Sequence, residues 1–577
     1  MRPLGPRKWT PALAALGLLF ANEASASNVT EFPDNGSEQM GRGGAWVARA
    51  SDPLATMFNP AGLAGQRTTL TLQSNFIFHD TCFTRLKAAS DTTQDIGADA
   101  SGRYPTVCNE VEPTFNPQFG ATLRISDRLS LGALVIGPAS AGEKTYPDFI
   151  EVNGDKVASP TRYIAARSAG IVLFPTVGVG YEVIDNLRIG ASVSWGFAKL
   201  KQSAATVALN SNSTTPDNDV KANLQVADYF IPGFTVGGLY SATESIDIAG
   251  FYKWSDAIRA RGDVGLAANF YTRRNAEGDD RDVRYSDTIF SDCGTGIPND
   301  EGRCGNGGNA TVKFQLPMEA KIGIRYHKPR AIGEGPTEHE EVAAAPAPPA
   351  DGASEQAVAA SPPPEPKRIR KKHLRDPMAT DVFDVELDLT WANNSAVDAI
   401  QIRFPGDPSG KGLLPTPVQG GEIPPNGDQT KRYNDVFGVR LGGDYNVLPD
   451  KLALRAGTFF ESSALEAQYQ HTDFAASSRF GLALGGSFRI KTSSKRDSGA
   501  IDIMVGYGHV FFAKMEREDR NASGLGALAG TSCNGSDPVS AEKCADGSDR
   551  YRTRWPVNLG TITNSLNVIN VGASYRF

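Results

Sequence analysis

The sequence predicts an all-β chain: a 14-stranded antiparallel transmembrane β-barrel with an N-terminal hatch, or plug, inside the lumen. Three observations predict it. Apolar and polar residues alternate with period two in one segment after another. The connections between those segments alternate short and long, and aromatic residues collect towards both strand ends. A mean hydropathy of −0.30 does not oppose this, because only alternate residues of a barrel strand face lipid. Sixty glycines, 16 tyrosines and 28 phenylalanines beside six histidines also favour β structure.

The first element is a targeting segment. Arg2, Arg7 and Lys8 precede the mostly apolar run "WTPALAALGLLF", and Ala24 and Ala26 stand at A-x-A spacing. This is a secretory signal over residues 1–26, too short for a spanning helix, which needs about 20 apolar residues. Its removal takes the net charge from −7 to −9, since three basic residues and one acidic residue leave with it. That mild acidity argues against a nucleic-acid partner.

Fourteen strands are expected near 68–79, 114–126, 129–138, 169–183, 186–200, 229–241, 244–258, 313–327, 382–396, 434–447, 450–463, 478–491, 499–513 and 564–577. In "FDVELDLTW", Phe383, Val385, Leu387, Leu389 and Trp391 share one face, and Asp384, Glu386, Asp388 and Thr390 the other. "LRIGASVSWGF" and "IDIAGFYKW" repeat the alternation. Turns such as "SDR" before Leu129, "VIDN" before Leu187 and "LPDK" before Leu452 are tiny. Long polar loops fall near 80–113, 139–168, 201–228, 259–312, 397–433 and 514–563. Short turns on one side and long loops on the other are an outer-membrane barrel's pattern.

Trp195, Trp254 and Trp391 lie nine or ten residues into odd-numbered strands. Tyr181, Tyr240, Tyr326, Tyr445 and Tyr575 end even-numbered ones. Ten residues at about 3.3 Å each and a tilt near 40° make roughly 23 Å, close to the apolar band. The last strand ends on Phe577, which resembles the signal read by the barrel-assembly machinery. The cysteines fall in pairs in three long loops: Cys82 and Cys108, Cys293 and Cys304, Cys533 and Cys544. Three local disulfides are the expectation in an exported chain, although six cysteines allow fifteen pairings.

One expected short turn is replaced by a Pro/Ala-rich stretch at about 330–380, ending in the basic run "KRIRKKHLR". Its composition cannot build a core, so it is expected to be a disordered periplasmic insertion. The basic run suits anionic lipid, cell-wall polymer or a periplasmic partner, against a solvated tether, which is the favoured reading.

The domain plan is therefore signal 1–26, hatch 27–66 and barrel 67–577. A fourteen-stranded lumen is too wide for its own side chains to fill. The segment before the first strand, tied to the short-turn rim, reads as the stopper. Small residues at Gly41, Gly43, Gly44, Ala45 and Ala48 allow close packing, and Asn59-Pro60 turns the chain towards the wall.

Here "MGRGGAWVARASDPLATMFNPAGLA" resembles the hatch of the FadL/TodX family of outer-membrane transporters for hydrophobic compounds. The pattern stands as Gly41, Arg42, Ala48, Asp52, Asn59, Pro60 and Ala61. "LPMEAKIGIRY", "VELDLTW" and "LPDKLALRAGTFFESSA" resemble its later strands in order and spacing. The resemblance covers the mature chain except the insertion. It implies a bound fatty acid or hydrocarbon that leaves sideways through a kinked third strand, a monomer, and a setting of outer-membrane lipid and lipopolysaccharide. The matching gap position is Gly137-Pro138, where proline removes a ladder hydrogen bond. Val29, Phe32, Trp46, Met57 and Phe58 are candidate ligand contacts. Twelve desolvated methylenes gain about 10 kcal/mol at about 0.8 kcal/mol each, so passive uptake needs no nucleotide loop, and none is present.

No cofactor or metal is expected. Six scattered histidines and no G-x-S-x-G leave little for an outer-membrane esterase or phospholipase. The acidic stretch around Asp279 reads as a solvated loop rather than a cation site. A general porin or an adhesive surface barrel is the remaining alternative, and a porin would lack such a hatch.

Overall fold

A computed structural model describes residues 35–89, 91, 95–110, 113–137, 143–207, 219–267, 270–271, 310–330, 337–339, 368–370, 374–403, 414–415, 422–423, 429–474, 476–492, 499–521 and 556–577. Fourteen antiparallel strands form the wall. These are β1 (Thr69–Arg85), β2 (Thr114–Arg124), β3 (Leu129–Ile136), β4 (Arg167–Ile184), β5 (Leu187–Val207), β6 (Asp219–Thr243) and β7 (Ile246–Ser255, resumed at Ile258–Ala267). There follow β8 (Ala310–Phe314, then Glu319–Pro329), β9 (Asp381–Ala392, then Ala399–Arg403) and β10 (Val436–Leu448). The last four are β11 (Leu452–Glu461), β12 (Arg479–Lys491), β13 (Ala500–Phe512) and β14 (Gly560–Arg576). Each strand pairs with its neighbour, and β1 closes the ring on β14 from Thr69 opposite Arg576 to Arg85 opposite Gly560. Closure of β1 on β14 leaves no unpaired edge at that seam, as a bilayer requires.

The alternation read from the sequence is the wall's inside and outside. On β13 and β9 buried and exposed residues alternate almost without fault. Leu72 and Phe115 are 62 % and 63 % exposed on the outer face, while Gln73 and Asn75 point inwards and are buried. Trp195, Tyr181, Tyr240, Tyr326, Tyr445 and Tyr575 all face outwards. Among the described residues no helix is long and apolar enough to cross a membrane.

The strands differ from expectation mainly in length. β1 runs on to Arg85, so Cys82 lies on the strand, opposite Cys108 of the short strand Val107–Cys108, and the two are joined by a disulfide. The other four cysteines lie outside the described residues. β5 and β6 extend far beyond the expected 200 and 229, to Val207 and Asp219, because they continue to pair with each other past the apolar band.

Residues 35–66 lie inside the ring and all are buried. They form α1 (Ser37–Gly41), α2 (Ala55–Phe58) and a 3-10 turn, Pro60–Leu63. α1 rests on β11 to β14, whereas α2 and the 3-10 turn rest on β3 to β5, the turn reaching β6 as well. The segment thus crosses the lumen from one wall to the other.

The insertion departs from expectation at its carboxyl end. Residues 374–380 are folded into the short-turn mouth, where α3 (Pro377–Thr380) has Pro377, Met378 and Ala379 buried. Asp376 pairs with Arg489 (2.8 Å), and Asn446 Nδ2 donates to the Pro377 carbonyl (2.9 Å). Thr337–His339 also pairs with Arg368–Arg370. Local ion pairs and backbone hydrogen bonds supply what the composition lacks in apolar burial.

Candidate functional site

The interior divides into an ion-paired floor, an apolar tract and an interrupted stretch of wall. The floor begins with Arg42, fully buried as α1 ends. Its Nη1 donates to Asp384 Oδ1 (2.6 Å) and Asp444 Oδ1 (2.7 Å), its Nη2 to Glu386 Oε2 (3.2 Å), and its Nε to the Ala45 carbonyl (2.8 Å). Arg49 bonds Glu38 and Asp384 and reaches Asp444 at 3.2 Å. Asp388 Oδ2 accepts the backbone N–H groups of Trp46 (2.9 Å) and Val47 (3.2 Å), and Glu386 Oε1 that of Ala48 (2.6 Å). The wet face of "FDVELDLTW" is therefore a ladder of acceptors for the amino-terminal segment. Buried ions demand such partners, since removing one leaves an uncompensated charge.

The other predicted motif residues support the segment's own shape. Asp52 Oδ1 accepts from Leu54 N–H (2.8 Å). Asn59 Nδ2 donates to the Val47 carbonyl (2.8 Å), and Asn59 Oδ1 accepts from Ala61 N–H (3.3 Å) ahead of the turn that Pro60 starts. Gly41 packs on Arg455 and Gly485, and Gly44 N–H donates to Gln39 (2.9 Å). Gly43 has φ +63° and lies so close to the β11 backbone that a Cβ would meet Thr458 N at 2.6 Å. Reading the sequence alone missed Gln66, whose Nε2 donates to the carbonyls of Ala50, Asp52 and Gly62. It also missed Arg375, whose backbone N–H donates to the Gly65 carbonyl (2.8 Å) and whose Nη2 donates to that of Ala48 (2.9 Å). Arg375 closes the run expected to be a solvated tether, yet it is clasped to residues 48 and 65.

Above the floor lies a continuous apolar cluster. Trp46, Leu54, Met57, Phe58 and Leu63 join Leu134, Ile136, Val172 and Phe174 of the wall, and the cluster continues to Phe314, Ile402 and Tyr433 towards the long loops. Of the five ligand-contact candidates, Trp46, Met57 and Phe58 are members, while Val29 and Phe32 fall outside the described residues. Phe314 and Phe474 stack at 5.6 Å at its far end. There Lys431 pairs with Asp473 (2.6 Å), and Lys144 Nζ donates to the carbonyls of Thr472 (3.1 Å) and Asp473 (3.2 Å). Burial pushes the Lys144 ammonium down to about 8, with Asp473 pulling the other way.

The wall is interrupted where the tract reaches it. β3 pairs with β4 up to Ile136 opposite Phe174, and with β2 only as far as Val135 opposite Phe119. Among the described residues, Thr114 to Gln118 of β2 thus pair with β1 alone. At Gly137 side chains replace the ladder: its carbonyl accepts from Asn116 Nδ2 (3.3 Å) and Asn35 Nδ2 (3.4 Å). A Cβ at Gly137 would lie 2.4 Å from the Val172 carbonyl oxygen. Pro138 falls outside the described residues. On β4, Pro175 marks a second break, for β4–β5 pairing stops at Leu173 opposite Phe197 and resumes at Thr176 opposite Ser194. A proline amid an apolar strand was the available signal. The acidic stretch around Asp279 also lies outside the described residues.

No family model matches the sequence, and no curated protein matches it. Solved structures do. A Pseudomonas aeruginosa FadL homologue is 15% identical, with 96% of this chain and 100% of that one covered at a TM-score of 0.58. A TodX deltaS2S3 mutant, a monoaromatic hydrocarbon channel, is 12% identical, with 94% and 99% covered at 0.50. The described residues share the fold of these barrels.

Proposed function

We propose, from that fold, that the chain is an outer-membrane uptake protein for hydrophobic molecules, long-chain fatty acids or related hydrocarbons. Cargo enters among the long loops, binds in the apolar tract and leaves sideways through the wall beside Gly137. The observation that carries this reading is that one apolar cluster contains Phe314 and Tyr433 near the loops, Met57 and Phe58 of the inner segment, and Ile136 and Phe174 at the ladder break. An apolar solute gains by staying on such a path and would lose by crossing water. Residues 35–66 act as the hatch: they fill the floor, so the direct route to the short-turn side is shut. Similarity in fold to a FadL homologue and to a monoaromatic hydrocarbon channel agrees with this cargo class.

The test is detergent-purified protein incubated with a radiolabelled C16 fatty acid or an alkylbenzene. Near-stoichiometric retention of one of them, with little ion conductance in planar bilayers, is the expected result. Porin-like conductance and no retained ligand would overturn the proposal.

A further inference from the structure

Outside the lumen, a basic band runs across β5 to β9 just above the aromatic rim. On β5, Lys199 and Lys201 are exposed on the outer face. Following the register, Lys199 faces Ala227, Ala227 faces Arg261, Arg261 faces Thr311, and Thr311 faces Arg403. At about 4.8 Å between strands, Lys199, Arg261 and Arg403 recur roughly every 10 Å along one level. One step lower, Arg259 stands directly opposite Lys313. Like charges in that position repel, and Asp256, bonded to Arg259 at 2.6 and 3.0 Å, offsets only part of it. Among the described residues Lys199, Lys201 and Arg261 have no ion-pair partner.

The height of the band is set by Trp195, Tyr229 and Phe230, which are 59 %, 64 % and 60 % exposed and touch one another. Such rings sit at the headgroup level. Lys199 is four residues beyond Trp195, about 10 Å further from the bilayer centre at the usual rise and tilt. Arg259 and Lys313, one step lower, lie about 5 Å beyond the rings, within a headgroup layer about 5–7 Å deep that holds phosphates, and Lys199, Arg261 and Arg403 line its outer margin. The band lies on the long-loop side, hence towards the outer leaflet.

We propose that this band binds a phosphorylated glycolipid of the outer leaflet, the lipopolysaccharide type. Its two phosphates, at either end of a disaccharide, would bridge cations about 10 Å apart, and its acyl chains would lie on the exposed apolar wall beneath. A single-phosphate lipid reaches only one station of the band. The inference rests on the outer-membrane placement under the proposed function and adds the binding surface.

Native mass spectrometry of the full chain in detergent tests it with three probes: bis-phosphorylated lipid A, the same lipid dephosphorylated, and phosphatidylglycerol. The wild type should retain the first at least tenfold more tightly than either of the others. The Lys199→Gln/Arg261→Gln/Lys313→Gln variant should lose that preference. Heat-modifiable gel migration reports folding, and Lys199→Gln/Lys201→Gln is the milder variant should the triple one not fold. Equal retention by the folded variant, or equal retention of phosphatidylglycerol, would overturn the proposal. Retention of labelled cargo is measured on the same samples. Cargo binding without lipid A preference defeats this inference alone, and lipid A preference without cargo binding defeats the uptake reading alone.

Discussion

The floor of the lumen and the tract above it are held by opposite chemistry. At the floor, Arg42 and Arg49 engage Asp384, Glu386 and Asp444, so position is fixed by a few directional contacts. In the tract, Leu134, Phe174, Phe314 and their neighbours make apolar contacts that favour no single arrangement of a guest. Under the proposed function, the first kind of fixing suits a stopper and the second a conduit for varied greasy molecules. The comparison predicts that single substitutions act sharply at the floor and gradually in the tract.

The largest effect is expected from Arg42→Ala. It takes one charge partner from each of three buried carboxylates, Asp384, Asp444 and Glu386, and removing one side of such a buried pair costs about 3–5 kcal/mol. Residues 35–66 should loosen, seen as at least a tenfold rise in planar-bilayer conductance with the barrel still heat-modifiable on gels. Unchanged conductance would mean that the ion pairs do not hold the floor closed.

Next comes the wall. Gly137→Val places side-chain atoms against the Val172 carbonyl, which already lies 2.4 Å from where a Cβ would be. Uptake by whole cells should fall several-fold, while ligand retained by the purified protein stays within twofold of wild type. A parallel fall in both would assign Gly137 to binding rather than exit.

Much of this organisation was legible in the chain itself. The fourteen strands and the inward segment follow from period-two alternation and from "GRGGAWVARASDPLATMFNPAGLA", because alternation is a direct image of two solvents on two faces. Single-chain patterns do not show what an inward polar residue will meet. Asp384, Glu386 and Asp388 read only as a wet face, and their partners Arg42, Arg49 and residues 46–48 lie over 330 positions away. Arg375 was misplaced for the same reason: a basic run looks solvated until its last member is seen to reach the Ala48 and Gly65 carbonyls. Strand ends were misjudged where β5 and β6 keep pairing above the bilayer, since hydrogen bonding there needs no lipid-facing alternation.

Within the tract a smaller response is expected. Phe58→Ala removes one wall of the apolar cluster next to Met57 and leaves the remaining contacts in place. Ligand affinity should drop about five- to tenfold, or about 1–1.4 kcal/mol, with conductance unchanged. A loss above a hundredfold would make Phe58 a specific anchor and the tract more like the floor than the comparison allows.

The smallest effect concerns the loop end of the tract, where Lys144 is buried beside the Lys431–Asp473 pair. Lys144 titrates near 8 in the folded chain, against 10.5 in an unfolded one, because burial disfavours its charged form. Below about pH 8 both states hold the proton and the folded state carries the full desolvation cost. Between about pH 8 and 10.5 the unfolded chain binds more protons than the folded one, so stability rises with pH in that window. Resistance of the long loops to a protease active at alkaline pH should therefore increase modestly from pH 8 to 10, and Lys144→Met should flatten that increase. If the variant keeps the same slope, the Lys144 ammonium is not what sets loop stability, and the loop end is governed by apolar packing and the Lys431–Asp473 pair.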